Sequence, residues 1–168
     1  EICACLVGSE MCIRDSLGAV NYIITIPDKV DFGTLTQPET DTDSFKDVNF
    51  TVTATKIENL SDTDYVIVRV KNEGATVDDS AFYLTQKTSP NTKLTYDMYD
   101  RKTIVDSDIP LNKGRMVNPD GYYLGDFQNT GDSKTGTLRL NQKQLYGKDI
   151  AEIAGDYSGT IVLSLIHI

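Results

Sequence analysis

Val48-Asn-Phe-Thr-Val-Thr-Ala-Thr55 alternates without a break. Val48, Phe50, Val52 and Ala54 fall on one side of an extended chain, and Asn49, Thr51, Thr53 and Thr55 on the other. That is the two-residue period of a strand with one dry face and one wet face. Tyr65-Val-Ile-Val-Arg-Val-Lys71 repeats the pattern, with Val66, Val68 and Val70 inward and Arg69 and Lys71 outward. Asn72-Glu-Gly74 closes it as a turn.

The same text runs outward from these two strands. Upstream, β-branched Asn21-Tyr-Ile-Ile-Thr-Ile26 stops at Pro27-Asp28, and residues 34–47 form a polar connection. Downstream, Phe82–Thr85 and Leu94–Tyr99 are strands separated by Ser89-Pro-Asn91. Residues 106–121 carry Pro110, Gly114, Pro119 and Gly121 and read as loop with at most one short strand. Tyr122–Phe127 and Thr135–Leu140 are strands again. Residues 141–153 hold the one helical pattern, with Leu145, Ile150 and Ile153 as its apolar positions. The closing strand, Tyr157–Leu163, points Tyr157, Gly159, Ile161 and Leu163 inward. About eight or nine short strands at regular spacing, with no long helices between them, predict an all-β chain: one antiparallel β-sandwich. Its core is predicted to include Ile24, Phe50, Val52, Val66, Val68, Val70, Leu138, Leu140, Tyr157 and Ile161.

Composition narrows the function classes. With 24% charged and 39% hydrophobic residues the chain is an ordinary folding domain. Its net charge of −9 and lack of a Lys/Arg cluster argue against nucleic acid and anionic membrane as partners. No apolar run reaches the ~20 residues of a spanning helix, so no membrane insertion is expected. Both ends read differently from the middle. Residues 5–16, Cys-Leu-Val-Gly-Ser-Glu-Met-Cys-Ile-Arg-Asp-Ser, and Leu163-Ser-Leu-Ile-His-Ile168 resemble translated sequencing-adapter read-through. The expected division is an artefactual extension over 1–16, a sandwich domain over 17–162 and an artefactual tail over 163–168. Leu163 and Leu165 are apolar enough to lengthen the last strand. Residues 1–16 do not read as a signal peptide, because a basic start is lacking and Ser9-Glu10 breaks the apolar stretch.

All three cysteines (Cys3, Cys5, Cys12) and the single histidine, His167, lie in those ends, and there is no Trp. Three thiols fall short of the four ligands a structural soft-metal site usually has. Residues 17–162 therefore have no Cys–His pair and no Ser–His–Asp arrangement to offer. A glycosidase-type carboxylate pair would need two acids at a set separation, and no motif selects them. The expectation is a protein that is not an enzyme and has no cofactor.

Two stretches carry a family resemblance. Ile24-Thr-Ile-Pro-Asp-Lys-Val-Asp-Phe-Gly33 looks like the opening, and Ala154-Gly-Asp-Tyr-Ser-Gly-Thr-Ile-Val-Leu163 the closing strand, of β-sandwich modules in Gram-positive bacterial surface and adhesin proteins. The resemblance implies an immunoglobulin-like sandwich that is secreted or cell-wall-associated and monomeric. Such a module acts as a stalk spacer or adhesion domain. Its partners would be neighbouring modules of the same surface protein and a host or bacterial glycan or protein ligand. Similar glycine–tyrosine closing strands occur in fimbrial subunits, which would need a strand donated by a neighbour. The first and last strands read here as complete, which favours a self-contained module. A carbohydrate-binding accessory module is a third class.

Candidate site residues are sparse. The connection Asp41-Thr-Asp-Ser-Phe-Lys-Asp47 supplies hard oxygen ligands, so a bound metal would be calcium on Asp41, Asp43 and Asp47. It lacks the central Gly and final Glu of a twelve-residue calcium loop, and turn-forming aspartate is the plainer reading. For a glycan, the stacking candidates are Tyr96, Tyr99, Tyr122, Tyr123 and Phe127, with alternation placing Tyr122 and Tyr123 on opposite faces.

Overall fold

The computed structural model describes residues 2–6, 20–89, 91–113 and 116–168. Its strands follow the chain as β1 (Ile2–Leu6), β2 (Asn21–Thr25), β3 (Val30–Gly33), β4 (Phe45–Glu58), β5 (Val66–Asn72), β6 (Phe82–Gln86), β7 (Lys93–Tyr99), β8 (Tyr122–Phe127), β9 (Ser133–Asn141), β10 (Tyr157–Ser158) and β11 (Thr160–His167). A 3-10 turn (Gln142–Leu145) and one helical turn, α1 (Ile150–Ile153), occupy the predicted helical stretch. Among the described residues no helix is long and apolar enough to cross a membrane. Residues 106–121 are turns and bends with no strand among the described residues, and Gly114 lies outside them.

The strand order is β2-β4-β9-β7-β6-β10-β1-β11-β5-β8, with β3 added on β1. Every pairing is antiparallel except those of β1 with β10 and β11. The path folds over into two layers. Val52, Ala54, Leu138 and Leu140 from β4 and β9 share one buried cluster with Val66, Val68 and Val70 of β5 and Ile161 of β11. All ten predicted core residues are buried, joined by an aromatic group in which the Tyr96 ring lies 5.7 Å from Phe32 and 5.6 Å from Phe82. Strand β3 is an addition to the predicted set: Val30 and Phe32 are buried and Asp31 is exposed, an alternation only four residues long.

Strand β7 belongs to both layers. Its first half pairs with β6, from Lys93↔Thr85 to Tyr96↔Phe82; its second half pairs with β9, from Asp97↔Arg139 to Tyr99↔Thr137. Such a switch leaves backbone groups on each half without a strand beside them, and buried backbone polar groups must be paired. Side chains and loop supply the partners. The Gln144 amide accepts from Thr95 N–H at 2.8 Å and donates to Thr95 C=O at 3.0 Å, copying a strand. Leu111 N–H donates to Met98 C=O at 2.7 Å, and Met98 N–H donates to the Asn112 side chain at 3.0 Å.

The closing strand, predicted as one piece over 157–163, also switches neighbours. Tyr157–Ser158 pairs with Gln86 and Thr85 of β6, and after Gly159 the chain pairs with β5 from Ile161↔Asn72 to His167↔Val66. A side chain at position 159 would put its Cβ 2.5 Å from the Tyr83 carbonyl oxygen, so the crossover needs glycine. Tyr157, fully buried, donates its hydroxyl to the Ile153 carbonyl at 2.8 Å and ties α1 to the sheet.

At both ends the described chain runs into the sheet. Residues 163–168 continue β11 without a boundary at 162, and Ile168 exchanges two backbone hydrogen bonds with Tyr65. The apolar alternation of Leu163 and Leu165 against Val70 and Val68 explains why. Residues 1–16 are expected not to pack into the core. The backbone of Ile2–Leu6 pairs antiparallel with β3 and parallel with β10 and β11, because open strand edges accept extended chain. Residues 7–16, Cys12 among them, lie outside the described residues.

Candidate ligand cleft

The wet face of β4 and β9 carries an open cleft. Counting back from Asn49 and Thr51, the two-residue period puts Asp47 and Phe45 on that face. The register sets Asp47 opposite Arg139 and Phe45 opposite Asn141, while β7 brings Asp97 against Arg139 from the other side. Arg139 donates Nε to Asp47 Oδ1 at 2.8 Å and Nη2 to Oδ2 at 2.6 Å, a two-pronged ion pair. Those bonds raise the guanidinium pKa above its ordinary value, with burial acting against them. The guanidinium also lies 4.6 Å from the Phe45 ring centroid and 5.9 Å from that of Tyr99. An ion pair this open to water adds at most about 1 kcal/mol of stability. Its larger effect is positional: it fixes the Phe45 ring on a flat cation.

Past β9 the chain turns over the same face. Asn141 caps the 3-10 turn, accepting from Lys143 N–H at 3.0 Å and Ser44 N–H at 3.1 Å and donating to Asp43 at 2.9 Å. Gln144 is held by Thr95, as above, and by the Asn141 carbonyl at 2.8 Å. Tyr146 follows the turn and is 44% exposed, and Phe45 is 50% exposed. Between them lies an open cleft of about 480 Å³ lined also by Asp41, Asp97, Arg139 and Lys143. That volume is within the ~300–1,000 Å³ range of small-ligand sites. Lys143 stands 3.4 Å from Asp41 at its mouth.

No family model matches the chain, and no curated protein matches it significantly. Among solved structures it is similar, over 88% of its length, to a chain of a chaperone–tip adhesin complex described as vital for synergistic activation of CFA/I fimbriae biogenesis. The identity is 13%, the TM-score 0.39, and the chain spans about half (52%) of that relative's length. So distant a likeness fixes neither fold nor function.

The three predicted calcium ligands are engaged separately. Asp47 is on Arg139, Asp43 on the Asn141 amide, and Asp41 beside Lys143. Among the described residues no group of three or more acidic, histidine or cysteine side chains is placed to hold a metal ion. Thermal unfolding curves in millimolar calcium and in chelator are therefore expected to superimpose. Ligand binding to the folded state alone at a hundredfold excess over Kd would add about 2.7 kcal/mol, so a clear upward shift in calcium would support Asp41, Asp43 and Asp47 as a site.

Of the predicted stacking aromatics, Tyr96, Tyr99 and Phe127 are buried. Tyr122 is half-buried with its hydroxyl 2.8 Å from Ser80 Oγ. Tyr123 is 44% exposed, its hydroxyl donating to Asp126 at 3.0 Å, so the pair does straddle the sheet. None of the five presents an open ring to the cleft. The rings that do, Phe45 and Tyr146, were not singled out from sequence. The signal for Phe45 lay in extending the alternation of Val48–Thr55 upstream through Asp47. Tyr146 has no comparable signal, because its direction follows from the end of a 3-10 turn.

Proposed function

We propose that this chain is a non-enzymatic, extracellular β-sandwich module of a bacterial cell-surface protein, working as an adhesion domain through the Phe45–Tyr146 cleft. The supporting observation is the pair of half-exposed aromatic rings over a polar floor whose side chains are already held by hydrogen bonds. A stalk spacer has no use for such a preorganised concavity, whereas a binding domain gains affinity from it. The neighbouring modules of the same surface protein remain its structural partners in this reading. The test is adhesion of beads carrying the full chain to epithelial cells and to bacterial cells. Attachment above albumin-coated beads, lost in the Phe45→Ala/Tyr146→Ala double variant, supports the adhesion domain. Attachment equal to albumin returns the chain to the spacer reading.

One observation favours a fimbrial-type subunit as a second reading. Among the described residues the parallel pairings all involve β1, which lies between β3 on one side and β10–β11 on the other. A position of that kind can be filled by an extended segment from another copy. Size-exclusion chromatography of the full chain at rising concentration separates the two readings: polymers support strand exchange between subunits, and a constant monomer supports the self-contained module.

A further inference from the structure

We infer that the cleft between Phe45 and Tyr146 takes a neutral oligosaccharide; the inference rests on the adhesion reading above and names its ligand class. Three observations converge on it. The first is the walls. Two aromatic rings half open to water give flat apolar faces, one of them backed by the Arg139 guanidinium at 4.6 Å and so unable to turn inward. A flat ring in water matches a ligand with one apolar C–H face and a hydroxylated rim, the surface of a pyranose.

The second is the hydrogen-bonding balance of the floor. The Asn141 and Gln144 amides are spent on Ser44, Lys143, Asp43 and Thr95, so they shape the cleft and leave its carboxylates to bind. Of the two carboxylates lining the cleft, Asp97 accepts from Asn112 at 3.0 Å through one oxygen and Asp41 stands beside Lys143, so acceptor positions remain on both. An acceptor-rich site calls for donors, and a sugar's hydroxyls are donors. The third is charge. Two carboxylates, Asp41 and Asp97, and two cations, Arg139 and Lys143, line the cleft; Arg139 is paired with Asp47 just outside it and Lys143 with Asp41, which leaves Asp97 as the lining charge with no cation paired to it among the described residues. A uronate or sialate would meet that carboxylate, with both lining cations already engaged. Neutral glycans are selected and acidic ones excluded.

The test uses the full chain with chelator present, first on a glycan array and then by saturation-transfer NMR and titration with lactose, cellotriose and N,N′-diacetylchitobiose. 3′-Sialyllactose serves as the anionic arm. Binding of at least one neutral glycan is expected, weakened roughly tenfold or more in Tyr146→Ala, with 3′-sialyllactose weaker than lactose. Neither Tyr146 nor Phe45 belongs to the core, so an unchanged unfolding temperature certifies each variant as folded. Binding that survives both Tyr146→Ala and Phe45→Ala overturns the site, and a preference for the sialylated probe overturns the charge argument. No neutral glycan bound, while bead adhesion still depends on Tyr146, overturns the saccharide and leaves the adhesion domain with a different ligand. Failure of both measurements overturns the two together.

Discussion

Val68→Asp is expected to leave the chain without a cooperative unfolding transition. Val68 is fully buried at the centre of β5, with Leu165 of β11 opposite on one side and Gly125 of β8 on the other. A carboxylate there meets valine and leucine methyls and has no cation within the cluster. Burying an unpaired charge, or forcing the group to take up a proton to avoid it, costs several kcal/mol. A domain of this size holds only ~5–15 kcal/mol in total. Urea titration followed by circular dichroism gives the answer. A sigmoidal curve with the parent's midpoint would mean that β5 is not the middle of the core.

Gly159→Val is expected to be strongly damaging although the position adds nothing to the apolar core. The added Cβ would stand 2.5 Å from a backbone oxygen, that of Tyr83, and 3.4 Å from Leu84 Cδ2. Flexible side chains can yield to such a contact, but a carbonyl within a paired strand cannot move without breaking its ladder. The cost is set at about 3 kcal/mol, the upper part of the range for overpacking, or roughly 6–12 °C at ~2–4 °C per kcal/mol. Gly159→Ala already carries the offending atom and should lose most of that, whereas Gly131→Ala, with nothing near its Cβ but a φ of +97°, should lose less. A loss at Gly159→Ala no larger than at Gly131→Ala would show that the β6–β10 crossing relaxes to take a Cβ. An unchanged midpoint for Gly159→Val would show that the final strand does not cross there.

The strands that were legible are those long enough for the two-residue period to show, and their inward residues were identified correctly from Ile24 to Ile161. What escaped detection has physical causes. Strand β3 spans four residues, Val30–Gly33, too few for alternation to stand out from a turn. The break of the closing strand at Gly159 depends on which neighbour lies beside it, a fact of tertiary packing that a local pattern does not carry. Tyr96 and Tyr99 read equally well as wet or dry until β9 closes over the second half of β7. The cleft is the most tertiary feature of all. Its walls come from residues 45 and 146, which the Asn141 cap and the β4–β9 ladder bring together.

The double membership of β7 has a kinetic consequence. In a sandwich of two independent sheets, one layer can breathe while the other stays shut, and amide protons in each exchange with solvent at their own rates. Here Leu94 and Met98 sit on one strand with a partner from each layer. Peeling β6 away disturbs the strand whose other half pairs with β9, and the reverse holds as well. The amides of Leu84 and Arg139, each opposite a β7 residue, should therefore report one shared opening event, with the same free energy, although they lie in different layers. The cleft face built on β9 would then be as rigid as the innermost core, without any covalent bond to make it so.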